Sequence, residues 1–376
     1  MVRLKNLSSI MFLLIFIFSI SAFISIKPAD PKTLEIGAKA PDFNLEGIDG
    51  KQYSLKSFDD SKLLVMIFTA NHCPTAQAYE DRMKDLVDDY KSKGVAVVAV
   101  SPNDPESVRL DEMGYTDLGD TMEDMKFRAK DMDYNFPYLY DGDDSKMSMS
   151  YGPVATPHVF IFDQERKLRY TGRIDDAEKP GTAKVHDTRN AIEELLAGKS
   201  VTTPTTKTFG CSVKWPDKKE YAQRAHDEWA KEPVSLDLIE VNGVKELIKN
   251  DTENLRLINV WATWCGPCVT EFPDFVDINR MYRGRDFEFV AISADKPDKK
   301  DRALSFLQKK QASNKNYLFN SENIYDLIEA VDENWQGALP YTLLVEPGGE
   351  IVYSKQGTID PLEMKKIIVE KLGRYY

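Results

Sequence analysis

Cysteine is scarce in this chain. Four residues in 376, Cys73, Cys211, Cys265 and Cys268, are too few to staple a fold by disulfides. Basic runs are missing as well. The 49 Lys and Arg stand against 61 Asp and Glu, a formal charge of −12, which argues against a nucleic-acid backbone as partner. Histidine numbers four, and His158, His186 and His226 show no metal-ligand spacing. His158 is expected to pack or hydrogen-bond beside Pro157, and His186 and His226 to lie at the surface. With 42% apolar residues and 20 Gly the composition is ordinary globular, against long disorder and a polytopic membrane protein. The length suits two or three domains.

What is present begins with a leader. Arg3 and Lys5 precede an apolar stretch, Ile10 to Ile26, diluted by Ser19, Ser21 and Ser25. A cleaved signal peptide and an uncleaved membrane anchor over residues 1–26 both fit, and both export the remainder. The expected location is the periplasm or the outer side of the cytoplasmic membrane, where thiols oxidise unless something reduces them.

Beyond Leu34 a single order of elements occurs twice. Leu63 to Thr69 reads as a buried strand, followed by Asn71-His72-Cys73-Pro74 and a helical period through Ala76, Tyr79, Met83, Leu86, Val87 and Tyr90. Pro74 suits a first helical position. Val95 to Val100 is the next strand, Thr156-Pro157 enters the strand His158 to Phe162, and Asp187 to Leu196 reads as a closing helix. In the second half Leu255 to Trp261 is the strand, Trp264-Cys265-Gly266-Pro267-Cys268 the junction, and Phe272, Phe275, Val276 and Met281 mark the helix. Phe287 to Ser293 follows, then Leu339-Pro340 before Tyr341 to Val345, a Gly348-Gly349 turn, Ile351 to Ser354, and a helix from Pro361 to Leu372. Cys73 lies 84 residues before Pro157, and Cys265 lies 75 before Pro340. The pattern predicts a tandem duplication of one α/β fold. Its units are residues 34–200 and 234–376, and residues 201–233 form an extension or linker that carries Cys211.

The dithiol at Cys265 and Cys268 has a direct chemical reading. A thiolate at a helix N-terminus faces unpaired N–H groups and the positive end of the helix dipole, which lowers its pKa. Cys265 then attacks a substrate disulfide and Cys268 resolves the mixed disulfide. A zinc half-site would need two further ligands, and neither a second Cys-X-X-Cys nor a His pair is present.

Asn259 to Cys268, with Glu271-Phe272-Pro273, resembles the thioredoxin superfamily, specifically its exported TlpA/ResA-like branch. The resemblance covers about residues 234–376. It implies a central mixed sheet flanked by helices, a cis-Pro340 facing the dithiol, and backbone near Leu339 that pairs with substrate as an added strand. It also implies that Glu271 assists proton transfer. Asn259 stands where thioredoxins proper carry an acid. Trp264 is read as a contact surface or a packing aromatic, and Glu271 alternatively as a complement to the helix dipole.

The first half resembles the redoxin group of AhpC/TSA and peroxiredoxin-like proteins. The likeness rests on Leu34 to Tyr53 with its Ala40-Pro41-Asp42-Phe43 core, on Asn71 to Pro74, and on Gly210 to Trp215. It implies a redox role for Cys73, with a basic residue to hold the thiolate for which Arg82 and Arg173 are the candidates. Cys211 is the candidate partner of Cys73, since an oxidising compartment rarely leaves two free thiols, and the pair would then be a switchable disulfide that the C-terminal dithiol reduces. Two independent cysteines are the alternative. One departure weakens a peroxidase: the usual Thr three residues before the cysteine is Ala70, and Thr69 is one place too early.

Three further signals are set aside. Gly198-Lys199-Ser200 reads as a helix C-cap rather than a phosphate loop. Asp141 to Asp144 lacks a calcium loop's glycine, since Lys146 stands in its place, and reads as a cap. The acidic stretch from Asp117 to Asp133 reads as a solvated helix face.

The expected activity is an exported thiol–disulfide oxidoreductase acting on protein disulfides. It needs no metal or nucleotide and takes electrons from a membrane or exported donor. The alternatives are a thiol peroxidase working through Cys73 and a non-catalytic interaction module.

Overall fold

The computed structural model describes residues 31–374, so the leader predicted over residues 1–26 lies outside the described part. Two separate mixed sheets form. The first contains β1 (Leu45–Gly47), β2 (Gln52–Tyr53), β3 (Leu63–Phe68), β4 (Val95–Ser101), β5 (Tyr138–Tyr140), β6 (His158–Phe162) and β7 (Leu168–Gly172), in the order β2-β1-β5-β4-β3-β6-β7. The second contains β8 (Asp237–Ile239), β9 (Leu255–Trp261), β10 (Phe287–Ser293), β11 (Lys315–Phe319), β12 (Tyr341–Val345) and β13 (Ile351–Gln356), in the order β13-β12-β9-β10-β11-β8.

The central strands are apolar on both faces because both faces are covered. Leu63, Val65 and Ile67 of β3 face one core, with Tyr79, Met83 and Ile192, while Leu64, Met66 and Phe68 face another, with Phe160 and Tyr151. In the second sheet Leu255 and Leu257 of β9 pack with Phe272 and Phe275, and Ile258 and Val260 with Leu327 and Trp335. Period-two alternation thus sends neighbouring residues into opposite layers.

Pairing direction then positions the chemistry. β3 runs antiparallel to β6 with Phe68 opposite His158, and β9 runs antiparallel to β12 with Val260 opposite Tyr341. The end of each cysteine-bearing strand therefore meets the start of the strand that follows an X-Pro bond. Both of those bonds, Thr156–Pro157 and Leu339–Pro340, are cis.

The strands Leu255 to Trp261, Phe287 to Ser293, His158 to Phe162 and Tyr341 to Val345, and the helices Asp187–Leu196 and Pro361–Leu372, lie where the periodicity places them. The linker expectation changes in character. Residues 201–215 lie against the first sheet, with Thr205 bridged to Thr171 and Cys211 to Thr156. A helix over Lys219–Trp229 follows, unsignalled because just Ala222 and Trp229 of its residues are buried.

The two halves share a wall. Met113, from an excursion of the first half, sits in the second half's core with Phe272, Met281 and Tyr282. Tyr282 donates to the Thr116 carbonyl at 2.8 Å, and Arg285 to Gly114 at 2.9 Å. The approach at Gly114 is close: a Cβ on it would lie 3.0 Å from the Met281 carbonyl oxygen, so a side chain there would push the two halves apart by a few tenths of an ångström. No helix among the described residues is long and apolar enough to cross a membrane.

Candidate active site

Cys265 closes the loop after β9 and caps the helix Gly266–Tyr282, with proline in its first turn. Its Sγ accepts from the Cys268 N–H at 3.3 Å and is joined to Cys268 Sγ in a disulfide, with Cα atoms 5.3 Å apart. The helix geometry explains the ring: a residue three positions on returns to the cap's side of the axis. Both sulfurs are largely covered, whereas the neighbouring Trp264 is 66% exposed, which makes it surface rather than packing.

Glu271, one turn further along, is buried. Its Oε2 accepts from the Ile359 N–H at 3.0 Å, and its Oε1 finds no hydrogen-bond partner among the described residues. Burial pushes the carboxyl up to about 7, against the Ile359 N–H and the Asn259 amide, which favour the ion. Asn259 itself donates to Thr342 at 3.1 Å, on the strand that Pro340 introduces.

Cys73 occupies the matching place in the first half. It caps the helix Pro74–Ala78, with Pro74 in its first turn as predicted, accepts from the Ala76 N–H at 3.3 Å and, as a thiol, donates to the Thr156 carbonyl at 3.2 Å. It is fully buried and unoxidised, and Cys211 is free and half-buried beside it. Burial works to raise the Cys73 pKa. The Cys211 thiol, the His72 cation, the Thr156 side chain and the Ala76 N–H outweigh it, so the thiol ionises below its ordinary range. Cys211 is driven the other way, first by the Cys73 sulfur to which it is hydrogen-bonded and then by burial.

The cation facing Cys73 is His72. Its Nδ1 donates to Asp120 Oδ2 at 2.5 Å, both side chains being buried. Burial alone would discharge the imidazole, but the Asp120 carboxylate raises its pKa, and the imidazolium in turn holds Asp120 down against its own burial. Asp120 is further fixed by the Asn71 N–H at 2.7 Å and the Asn103 amide at 2.7 Å.

Neither arginine expected at this thiol serves there. Arg82 spends its hydrogen bonds on Asp175 and on the Ala78, Ala177 and Glu178 carbonyls, and Arg173 pairs with Asp187. Helical spacing carries Arg82 past the cap, and the nearer group on the chain takes the role. Asp120 is the residue the sequence reading missed. It falls in the acidic stretch assigned to a solvated helix face, yet Asp117 and Asp120 are 1% exposed and precede the helix Met122–Asp131. Gly119 between the two aspartates and the Thr121-x-x-Asp124 cap after them were the available signal that this part precedes the helix.

The histidines outside the site behave less uniformly than expected. His158 is buried, bonded to Thr171 at 3.0 Å, and held neutral as burial lowers its pKa to about 3. His186 is exposed, but His226 is half-buried against Trp229. Gly198 does follow a helix end in the left-handed region, at φ +71°. Asp141 accepts from the Ser148 N–H at 2.6 Å, inside the helix it was expected to cap. No group of three or more His, Cys, Asp or Glu able to hold a metal occurs among the described residues.

A buried disulfide on a helix cap, a bare carboxyl near neutrality one turn on, and an exposed aromatic beside them form the working geometry of a thiol–disulfide oxidoreductase. Proteins of that name are among the chain's relatives. The thiol-disulfide oxidoreductase ResA of Bacillus thuringiensis subsp. konkukian is 27% identical over 135 residues, covering 36% of this chain and 68% of that protein. The ResA of Oceanobacillus iheyensis is 34% identical over 118 residues, covering 28% of this chain and 53% of that protein. Among solved structures, a hypothetical protein of Sinorhizobium meliloti is 34% identical with a TM-score of 0.43, covering 49% of this chain and 97% of that one. The AhpC/TSA family model matches residues 36–171 and again 240–354, about two thirds of the chain in all. Each matched stretch carries a cysteine-bearing strand–helix junction and the hairpin that begins at a cis-proline, and the chain belongs to the AhpC/TSA family.

Proposed function

We propose that the protein is a tandem thioredoxin-superfamily enzyme, with a peroxiredoxin-like first domain and a TlpA/ResA-like second domain, that reduces or exchanges protein disulfides outside the cytoplasm. The disulfide between Cys265 and Cys268 at a helix N-cap carries this reading. Starting from the dithiol, the Cys265 thiolate attacks one sulfur of a substrate disulfide and the other sulfur leaves as a thiolate that takes a proton. Glu271, with a pKa near 7, accepts the Cys268 proton, and Cys268 attacks Cys265 Sγ. The second substrate thiol departs, and two electrons have passed from the pair to the substrate. Pro340 shapes the groove, Trp264 offers the contact face, and an exported or membrane donor restores the dithiol. Export rests on the charged and apolar leader at residues 1–26.

Insulin reduction in the presence of dithiothreitol tests the reading. Wild type accelerates precipitation over dithiothreitol alone, Cys265→Ser abolishes the acceleration, and Cys268→Ser accumulates a mixed disulfide at Cys265. A wild-type rate equal to that of dithiothreitol alone sinks it.

A further inference from the structure

Beyond the function proposed for the Cys265–Cys268 pair, we propose that Cys73 and Cys211 form a second redox-active centre, in which the segment 210–215 holds Cys211 against Cys73 as its standing disulfide partner. Four observations lead there.

The caps match first. Cys73 lies at φ −82°, ψ 112° and Cys265 at φ −86°, ψ 102°, and each Sγ accepts from the N–H three residues on at 3.3 Å. That third residue is Cys268 in the second half and Ala76 in the first. The Ala76 methyl is buried in a small cluster with Ala70 and Cys73, and Cys211 packs against the same cluster. The sulfur missing from the helix is supplied from another part of the chain.

Backbone occupancy differs next. Thr156, directly before Pro157, donates its N–H to the Cys211 carbonyl at 2.9 Å in an antiparallel bridge. Leu339, directly before Pro340, has no such backbone partner among the described residues. Beside Cys265 the edge is open to an incoming strand, and beside Cys73 the chain has filled it with its own.

Seating of that segment is specific. Gly210 lies at φ +137°, and a Cβ there would stand 2.0 Å from the Thr156 carbonyl oxygen, so a glycine is required. Further along, the Lys214 N–H donates to Asn103 Oδ1 at 2.8 Å, and the Asp104 N–H to the Lys214 carbonyl at 2.9 Å. Asn103 also holds Asp120, so one side chain ties the segment to the His72 ion pair.

Polarity completes the case. Cys73 is the covered sulfur with the stabilised thiolate, and Cys211 is the half-exposed one. In the oxidised pair a dithiol's thiolate attacks Cys211 Sγ, the bond to Cys73 breaks, and its electron pair stays on Cys73 as a good leaving group. The dithiol's second thiolate then attacks its own bound sulfur and frees Cys211, which takes a proton. The dithiol leaves as a disulfide, two electrons poorer, and the pair is two electrons richer. Run backwards against a disulfide oxidant, the same steps re-form the Cys73–Cys211 bond. Because the reduced form gains the His72 stabilisation, the centre favours accepting electrons from dithiols.

The test uses the full chain carrying Cys265→Ser and Cys268→Ser, equilibrated in glutathione buffers, acid-quenched, alkylated and peptide-mapped. The expected result is one peptide joining Cys73 to Cys211, with both thiols lost together and both regained with dithiothreitol. In that background Gly210→Ala lowers the equilibrium constant for the linked form at least tenfold, about 30 mV. Cys211→Ser instead leaves glutathione attached to Cys73. Absence of the linked peptide in every buffer overturns the proposal, as does a Cys211→Ser chain whose Cys73 reacts as before. Since the second dithiol is removed throughout, failure of insulin reduction has no bearing on the outcome.

Discussion

Glu271 enters the folded protein with one oxygen on the Ile359 N–H and the other bare, and its pKa moves from 4.5 to about 7. The folded chain therefore holds this proton more tightly than the unfolded chain does. Stability attached to the group is complete below pH 4.5 and is lost as the pH rises toward 7. The gap corresponds to about 3 kcal/mol. Glu271→Gln should flatten the fall of the urea midpoint across that window in the oxidised protein, and it should slow insulin reduction at pH 7 by roughly 100-fold. An unchanged pH slope would remove the proton-holding role. Cys265 and Cys268 were legible in the sequence as a Cys-Gly-Pro-Cys at a strand–helix junction, whereas Glu271 and Pro340 were marked by the resemblance to the thioredoxin superfamily. The His72–Asp120 pair was half legible: His72 adjoins Cys73, and the Thr121-x-x-Asp124 cap sets Asp120 before the helix, but nothing in the sequence says that it meets His72.

Element by element, the long apolar strands and the caps followed from periodicity, because β3, β9 and β10 are covered on both faces and read as continuous runs. Short edge strands such as β2 and β8 did not, since two or three half-exposed residues carry no period. The excursion holding Met113 belongs to the same class. It is irregular chain, mostly short turns, and its value lies in what it touches. Met113→Ala should cost about 2–5 kcal/mol, the range for truncating a buried methionine. Trp261 lies in the same cluster as Met113, so its fluorescence should report the loss although residue 113 belongs to the other half. A Trp261 transition at the wild-type midpoint would mean the excursion merely rests on the second half.

Across the whole molecule the two halves are bound by more than apolar contact. Arg374 donates to Asp117 at 3.0 Å and to Gln77 at 3.1 Å, and Lys366 meets Asp131 at 2.8 Å. Asp117 is 1% exposed, so removing its cation strands a buried charge, a loss of about 3–5 kcal/mol. Calorimetry of wild type should show one transition with equal calorimetric and van't Hoff enthalpies, and Arg374→Ala should separate it into two. Two transitions already present in wild type would contradict a shared unit. The repeat was plain in the sequence because cysteine, helix and X-Pro recur in order. The wall between the repeats was not, since Met113, Met281 and Tyr282 have the character of any core residue and pattern alone cannot say whose core.

That wall, together with the seat of Gly210, governs where the chain can be divided. A gene truncated after residue 200 would yield a first half stripped of Cys211, with the edge at Thr156 bare, and a second half with a hole where Met113 had been. A truncation after residue 215 would spare the former and not the latter. The gap between the two stretches that match the family model is thus not a line along which the folded chain can be cut.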